Sequence, residues 1–201
     1  SRRDIGQVLA NDGAGTLMAL TYPLSHNPVL LVAFSGAMAT VNADTWATEL
    51  GVLARRPPRL ITTGQVVEPG TSGAISLLGT LATLAGGGTM GIAAALYTGL
   101  DAMWFSQDTL AAQPPVTGWW LIAASILGGL AGSLFDSLLG ATVQANYYTR
   151  NREKMTEKAI DPDGTPNELI RGWRWLNNDW VNFLSSVVGA LVSVGVFLSF
   201  S

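Results

Sequence analysis

The chain has no cysteine and one histidine, His26. The first absence excludes disulfides and thiolate chemistry, and the second excludes a metal centre built from histidines. Charge is scarce as well. Asp, Glu, Lys and Arg make up 12% of the 201 residues, against about 25% in an ordinary soluble domain. A net charge of -3 leaves no basic surplus to neutralise phosphates along a duplex, so no nucleic-acid partner is expected. No Walker lysine motif is present, which excludes a P-loop. The opening SRRD has no apolar run directly behind its basic pair, so a signal peptide is not expected there. The start at Ser1 instead suggests a processed or truncated chain from which N-terminal helices are missing.

What is abundant is apolar surface. Hydrophobic residues make up 48% of the chain, mean hydropathy is +0.32, and there are 23 glycines, which suit close helix approach in lipid. The expected fold class is therefore all-α: a polytopic integral membrane helix bundle forming a single membrane-embedded domain over residues 1–201. About five membrane helices are expected, at roughly 5–22, 28–54, 72–100, 116–146 and 176–200. The first is short and interrupted by Asn11, Asp12, Gly13 and Gly15. Five crossings put all 11 basic residues on one side, and the opposite loops, 23–28 and 101–115, carry none. The positive-inside rule makes that side cytoplasmic, or stromal in a plastid. Trp104, Trp119 and Trp120 are expected at one interface, and Trp173, Trp175 and Trp180 at the other. His26 reads as a loop residue.

Ionisable groups inside such helices mark functional sites, because a carboxylate in hydrocarbon needs a polar cavity or a partner. In TVNADTWATELG, Asn42, Thr45 and Glu49 share one helical stripe, and Asp44 lies on another with Thr40 and Thr48. In GSLFDSLLGATVQ, Asp136 lies on a small, polar seam with Ser133 and, two turns on, Gln144. Asp44 and Asp136 are expected at similar depth, about 15 Å from the ends of their helices. Such a pair suits a Mg²⁺ whose shell is completed by substrate phosphates. An interhelical hydrogen bond is the plainer alternative for each polar residue. The last helix presents Asn178, Asn182, Ser185 and Ser186 as a polar stripe, with Asp179 favouring its N-terminus. Near the start, Asp4, Gln7 and Asn11 add polar groups. In the loop RRPPRLITTGQVVEPGTS, phosphate could be handled by Arg59, Thr62, Thr63 and Gly64, and by Thr71 and Ser72 at the next helix N-terminus. Headgroup contacts for the arginines and N-capping for Thr71 or Ser72 are the competing roles.

Taken in order, RRDIGQVLANDG, TVNADTWATELG, RPPRLITTGQVVEPGTSG, GSLFDSLLGATVQ and NDWVNFLSS resemble the integral membrane family of plant and cyanobacterial phytyl-phosphate kinases and animal transmembrane protein nineteen. The resemblance covers nearly the whole chain. It implies transfer of a nucleotide γ-phosphoryl group, from CTP or ATP with Mg²⁺, to a prenyl monophosphate. Asp44 and Asp136 then hold the metal with Asn42, Asn178 and Asn182 assisting, Arg59, Thr62, Thr63 and Gly64 handle phosphate, and Thr45 and Glu49 support from behind. The implied partners are the lipid-like substrate, bilayer lipids and, compatibly, further copies of the chain. Two other classes fit the same residues. One is a transporter or flippase for an ion or isoprenoid phosphate, the other a non-catalytic subunit of a membrane complex.

Overall fold

The structure is a computed structural model that describes residues 5–25, 27–104 and 118–200, with side chains over 11–25, 27–100 and 118–200. The helices are α1 (Ile5–Ser25), α2 (Pro28–Gly51), α3 (Leu77–Trp104), α4 (Gly118–Thr142) and α5 (Asn178–Phe200). The short strands are β1 (Arg59–Leu60), β2 (Ala74–Ile75), β3 (Asn146–Thr149), β4 (Lys154–Thr156) and β5 (Glu168–Arg171). The helical membrane bundle is as expected. Four helices, α2 to α5, are long and apolar enough to span a bilayer. α1 packs against α2 and α5. α3 runs on to Trp104, four residues into the expected 101–115 loop; the rest of that loop, His26 and Asp4 fall outside the described residues, as do the side chains of Gln7 and Trp104.

Local chemistry sets the helix ends. Asn27 caps α2, its Oδ1 accepting from the Val29 amide at 3.0 Å, and Pro28 occupies the first turn. α2 stops at Gly51 rather than residue 54, ahead of Pro57 and Pro58, which cannot continue a helix. α3 starts at Leu77, not residue 72. Gly70 and Gly73 take positive φ, β2 pairs with β1, and the N-cap is Ser76, whose Oγ accepts from the Gly79 amide at 3.0 Å. Thr71 and Ser72 are thus not caps. α4 ends at Thr142 rather than 146 because the chain turns into β3.

The bundle is built with small residues inside and large ones outside. Its buried set is rich in alanine and serine, while Leu77, Leu96, Leu191 and Leu198 are exposed, as helices in lipid require. At the centre, α2, α4 and α5 meet through Gly36, Gly128, Gly132 and Gly189, where an added Cβ would collide with a neighbouring helix. Thr40 Oγ1 donates to the carbonyls of Gly36 (3.0 Å) and Gly128 (3.3 Å). Ser35 and Ser125 share a 2.6 Å hydrogen bond, and Ser193 donates to the Ala124 carbonyl at 2.9 Å. These bonds satisfy hydroxyls that lipid could not.

Both connections that carry strands lie at one end of the bundle, together with every described Arg and Lys, from Arg55 to Arg174. The α4–α5 connection is rich in charged residues. It forms an antiparallel sheet of order β4-β3-β5. Buried Asp161 ties it together, accepting from Thr149 Oγ1 at 2.5 Å, from Asn167 Nδ2 at 3.3 Å and from Arg152.

Candidate functional site

At the basic end, where α2, α3 and α4 part, a cavity of about 250 Å³ opens between the helices and the two stranded connections. α2 contributes Asp44, Ala47 and Thr48, α3 contributes Thr80 and Thr83, and α4 contributes Ser133, Asp136 and Ser137. Pro69 to Ser76 form one wall, Asn178 of α5 another, and Glu157, just beyond β4, the rim. Two acids on separate membrane helices thus face one cavity. Each is held by a serine from a neighbouring helix. Ser133 Oγ donates to Asp44 Oδ1, and Ser185 Oγ to Asp136 Oδ2, both at 3.4 Å.

The remaining residues singled out in the sequence divide between this cavity and other places. Thr71, Ser72, Ser133 and Asn178 line it. Gln144, past the end of α4, is buried beside it as a tie between three segments. Its Oε1 accepts from Ser72 Oγ at 3.1 Å, and its Nε2 donates to Asn178 Oδ1 at 3.5 Å. Asn42 turns to α3, donating to the Gly86 carbonyl (2.8 Å) and Thr89 Oγ1 (2.9 Å). Asn182 donates to Asn11 of α1 at 2.9 Å. Thr45 bonds back to the Val41 carbonyl, and Glu49 is exposed. Arg59, Thr62, Thr63 and Gly64 form an exposed hairpin outside the cavity lining, closed by Arg59 Nη1 on the Gly64 carbonyl at 2.7 Å.

Glu157 is the residue that sequence reasoning missed. It sits in a run of alternating charges, NREKMTEK, with nothing to separate it from its solvated neighbours. Its side chain keeps solvent exposure, yet partial desolvation at the cavity rim raises its pKa above the usual glutamate range, while the nearby Ser72 hydroxyl and Gln144 amide pull it back in part. Asp161, outside the cavity, moves the other way, lowered first by the Thr149 hydroxyl and further by Asn167 and Arg152.

The donor set is all oxygen and amide, with carboxylates on three segments, and it fits a hard cation such as Mg²⁺ rather than a thiophilic one. Among the described residues, no three carboxylate or imidazole groups converge closely enough to cage a metal alone. No Lys or Arg lines the cavity among them.

Bundle and cavity together define a polytopic membrane protein with an acidic site at the boundary of its spanning helices. The chain belongs to the family described as integral membrane protein DUF92, which it matches over residues 1–190. It is 38% identical to Protein PGR of Arabidopsis thaliana over 98% of this chain and 71% of that one. It is 30% identical to the membrane protein MJ0933 of Methanocaldococcus jannaschii, over 97% of this chain and 63% of that one. To Protein VTE6, chloroplastic, of Arabidopsis thaliana it is 25% identical over 96% of this chain but only 47% of that one. No solved structure gives a significant match.

Proposed function

We propose that the cavity is the phosphoryl-transfer site of a membrane kinase that converts a prenyl monophosphate to its diphosphate at the expense of a nucleoside triphosphate, CTP or ATP. The observation that carries this reading is the convergence of Asp44 and Asp136, on different helices, in one cavity at the membrane boundary. Similarity to the VTE6 protein and to the phytyl-phosphate kinase motifs points the same way.

Both substrates are anionic, and three carboxylates without a lining Arg or Lys would repel them. The site therefore requires a cation. Asp44 and Asp136 would hold Mg²⁺, with substrate phosphates completing its shell. When bound, the cation supplies charge neutralisation between the phosphates. Ser133 and Ser185 fix the orientation of the two carboxylates. Asn178 would present its side-chain amide to phosphate oxygens, held in place by Gln144, whose Oε1 is in turn fixed by the Ser72 hydroxyl.

The reacting bond is formed by an oxygen of the prenyl phosphate attacking the γ-phosphorus in line, as the bond to the nucleoside diphosphate breaks. That oxygen is already anionic, so no general base is needed, and catalysis consists of positioning and charge compensation. By the positive-inside rule the basic end faces the cytoplasm or stroma, where nucleotide is found. The test is purified protein in lipid nanodiscs, supplied with Mg²⁺, geranylgeranyl monophosphate and each nucleotide. Nucleotide-dependent formation of the diphosphate is expected, and its absence with every nucleotide would overturn the reading.

A further inference from the structure

The cavity's outline on α3 and α4 does more than enclose polar groups. In their middle the two helices are locked together. A Cβ on Gly87 would stand 3.1 Å from the Ser125 carbonyl and 3.2 Å from Ile126 Cα, and one on Gly129 only 3.3 Å from Gly87 Cα. Toward the basic end that seam parts. Thr80 and Thr83 of α3 and Ser133, Leu134 and Ser137 of α4 all line the cavity, so the gap runs between the helices as well as behind them.

Residue spacing gives the direction of the gap. At about 100° per residue, Gly129 stands where α4 meets both α2 (Ala39) and α3 (Gly87), Ser133 reaches Asp44 on α2, Ser137 is turned further toward α3, and Leu134 further still, toward the lipid side where Leu138 is exposed. On α3, Thr80 borders Leu77 and Leu81, which are exposed to the same side. Below, β2 and Gly73 close the opening by packing on Ala141, where an added Cβ would collide. The result is a window bounded above by a glycine seam and below by a strand. It is polar at its inner end and flanked by leucines at its outer end.

We infer that this window between α3 and α4 is the hydrocarbon subsite and lateral entrance for an isoprenoid monophosphate. The phosphate lies at Asp44 and Asp136, and the tail leaves past Thr80 and Leu134 into the bilayer. Polarity matches the ligand end for end. A lipid whose headgroup reacts in the cavity can then keep its chain in hydrocarbon throughout, avoiding the cost of bringing its methylenes into water. The inference rests on the proposed prenyl-phosphate site. A second cavity, the apolar space of about 330 Å³ lined by Tyr22, Phe34, Met90 and Tyr97, is the competing place for the tail. It lies on the α1 side of α2 and α3, and the Asn42 bonds to Gly86 and Thr89 stand between α2 and α3 at the level separating the two spaces.

The experiment uses the whole chain in nanodiscs and a geranylgeranyl monophosphate carrying a photoreactive diazirine in its tail. Adducts competed by the unlabelled monophosphate are mapped by peptide mass spectrometry. They are expected within 77–84 and 130–138. Competed adducts on Tyr22, Phe34 or Tyr97 instead would overturn the window while leaving the prenyl-phosphate reading intact. Absence of any competed adduct would remove both. The lack of native cysteine permits a second measurement on a single folded sample. With Thr80→Cys and Leu134→Cys bridged by a short bifunctional methanethiosulfonate, competed labelling should drop about tenfold, equivalent to roughly 1.4 kcal/mol, and return on reduction. Labelling unchanged by the bridge would contradict the entrance.

Discussion

Ser133 on α4 donates its hydroxyl to Asp44 on α2 at 3.4 Å, and it stands one helical turn from Asp136, the second acid of the cavity. One serine thus couples the two carboxylate-bearing helices at the place where the bundle opens. Its loss should loosen the placement of Asp44 without removing a charge. For Ser133→Ala the expected result is a higher Mg²⁺ requirement and about tenfold slower turnover, near the effect of losing one hydrogen bond to a charged group. A Mg²⁺ titration of diphosphate formation, with circular dichroism to confirm folding, checks it.

Glu157 gives a pH signature. Partial desolvation at the cavity rim raises its pKa above the usual glutamate value. If the ionised form helps retain the cation, turnover rises with pH through that elevated value and levels off above it. Glu157→Gln should remove this rise, leaving a flatter profile at a lower plateau. The raised pKa also means that ionisation works against the fold, so the variant should melt no lower than wild type at neutral pH.

The opposite sign applies to Asp161. Its pKa is lowered by Thr149 first, with Asn167 and Arg152 adding to the effect. The stabilisation is therefore fully present above the unfolded-state carboxylate pKa and is lost as pH falls through the folded value. Asp161→Asn should unravel the three-stranded sheet selectively. Hydrogen exchange of 146–171 should quicken at neutral pH while the α2–α4–α5 seam keeps its protection.

Two glycines in membrane helices should respond in opposite directions. Gly87→Val places its Cβ against the Ser125 carbonyl and Ile126 Cα, and overpacking of this kind costs about 1–3 kcal/mol. In α5, Gly195 has open space where a Cβ would go. Gly195→Ala should therefore stabilise by about 0.5–1 kcal/mol through helix propensity. Thermal unfolding in one detergent separates the two.

The spans and the two acids were legible in the sequence because a carboxylate stands out against an apolar run, and because helical spacing fixes its face. That geometry already separated Asp44 from Glu49, which is exposed. Loop paths were not legible. Arg59, Thr62 and Thr63 looked like phosphate ligands beside PGTSG, but pairing of β1 with β2 turns their hairpin outward while Thr71 and Ser72 remain at the cavity. Asn42 and Asn182 lie on the polar stripes their spacing indicated, yet each is committed to a neighbouring helix. Glu157 reaches the site through the tertiary pairing of a sheet with short strands, which local periodicity cannot encode. The three-stranded sheet itself was hidden for the same reason.

The most direct measurement is diphosphate formation from geranylgeranyl monophosphate by Asp44→Asn and Asp136→Asn proteins in nanodiscs at saturating Mg²⁺ and nucleotide. Both changes keep size and hydrogen bonding but remove the charge that would hold the cation. A loss of at least about 100-fold in each, with wild-type melting behaviour, is the predicted result, on the scale seen when one electrostatic group is removed from an active site. Turnover within about twofold of wild type in either variant would contradict the assignment of the cavity as the phosphoryl-transfer site.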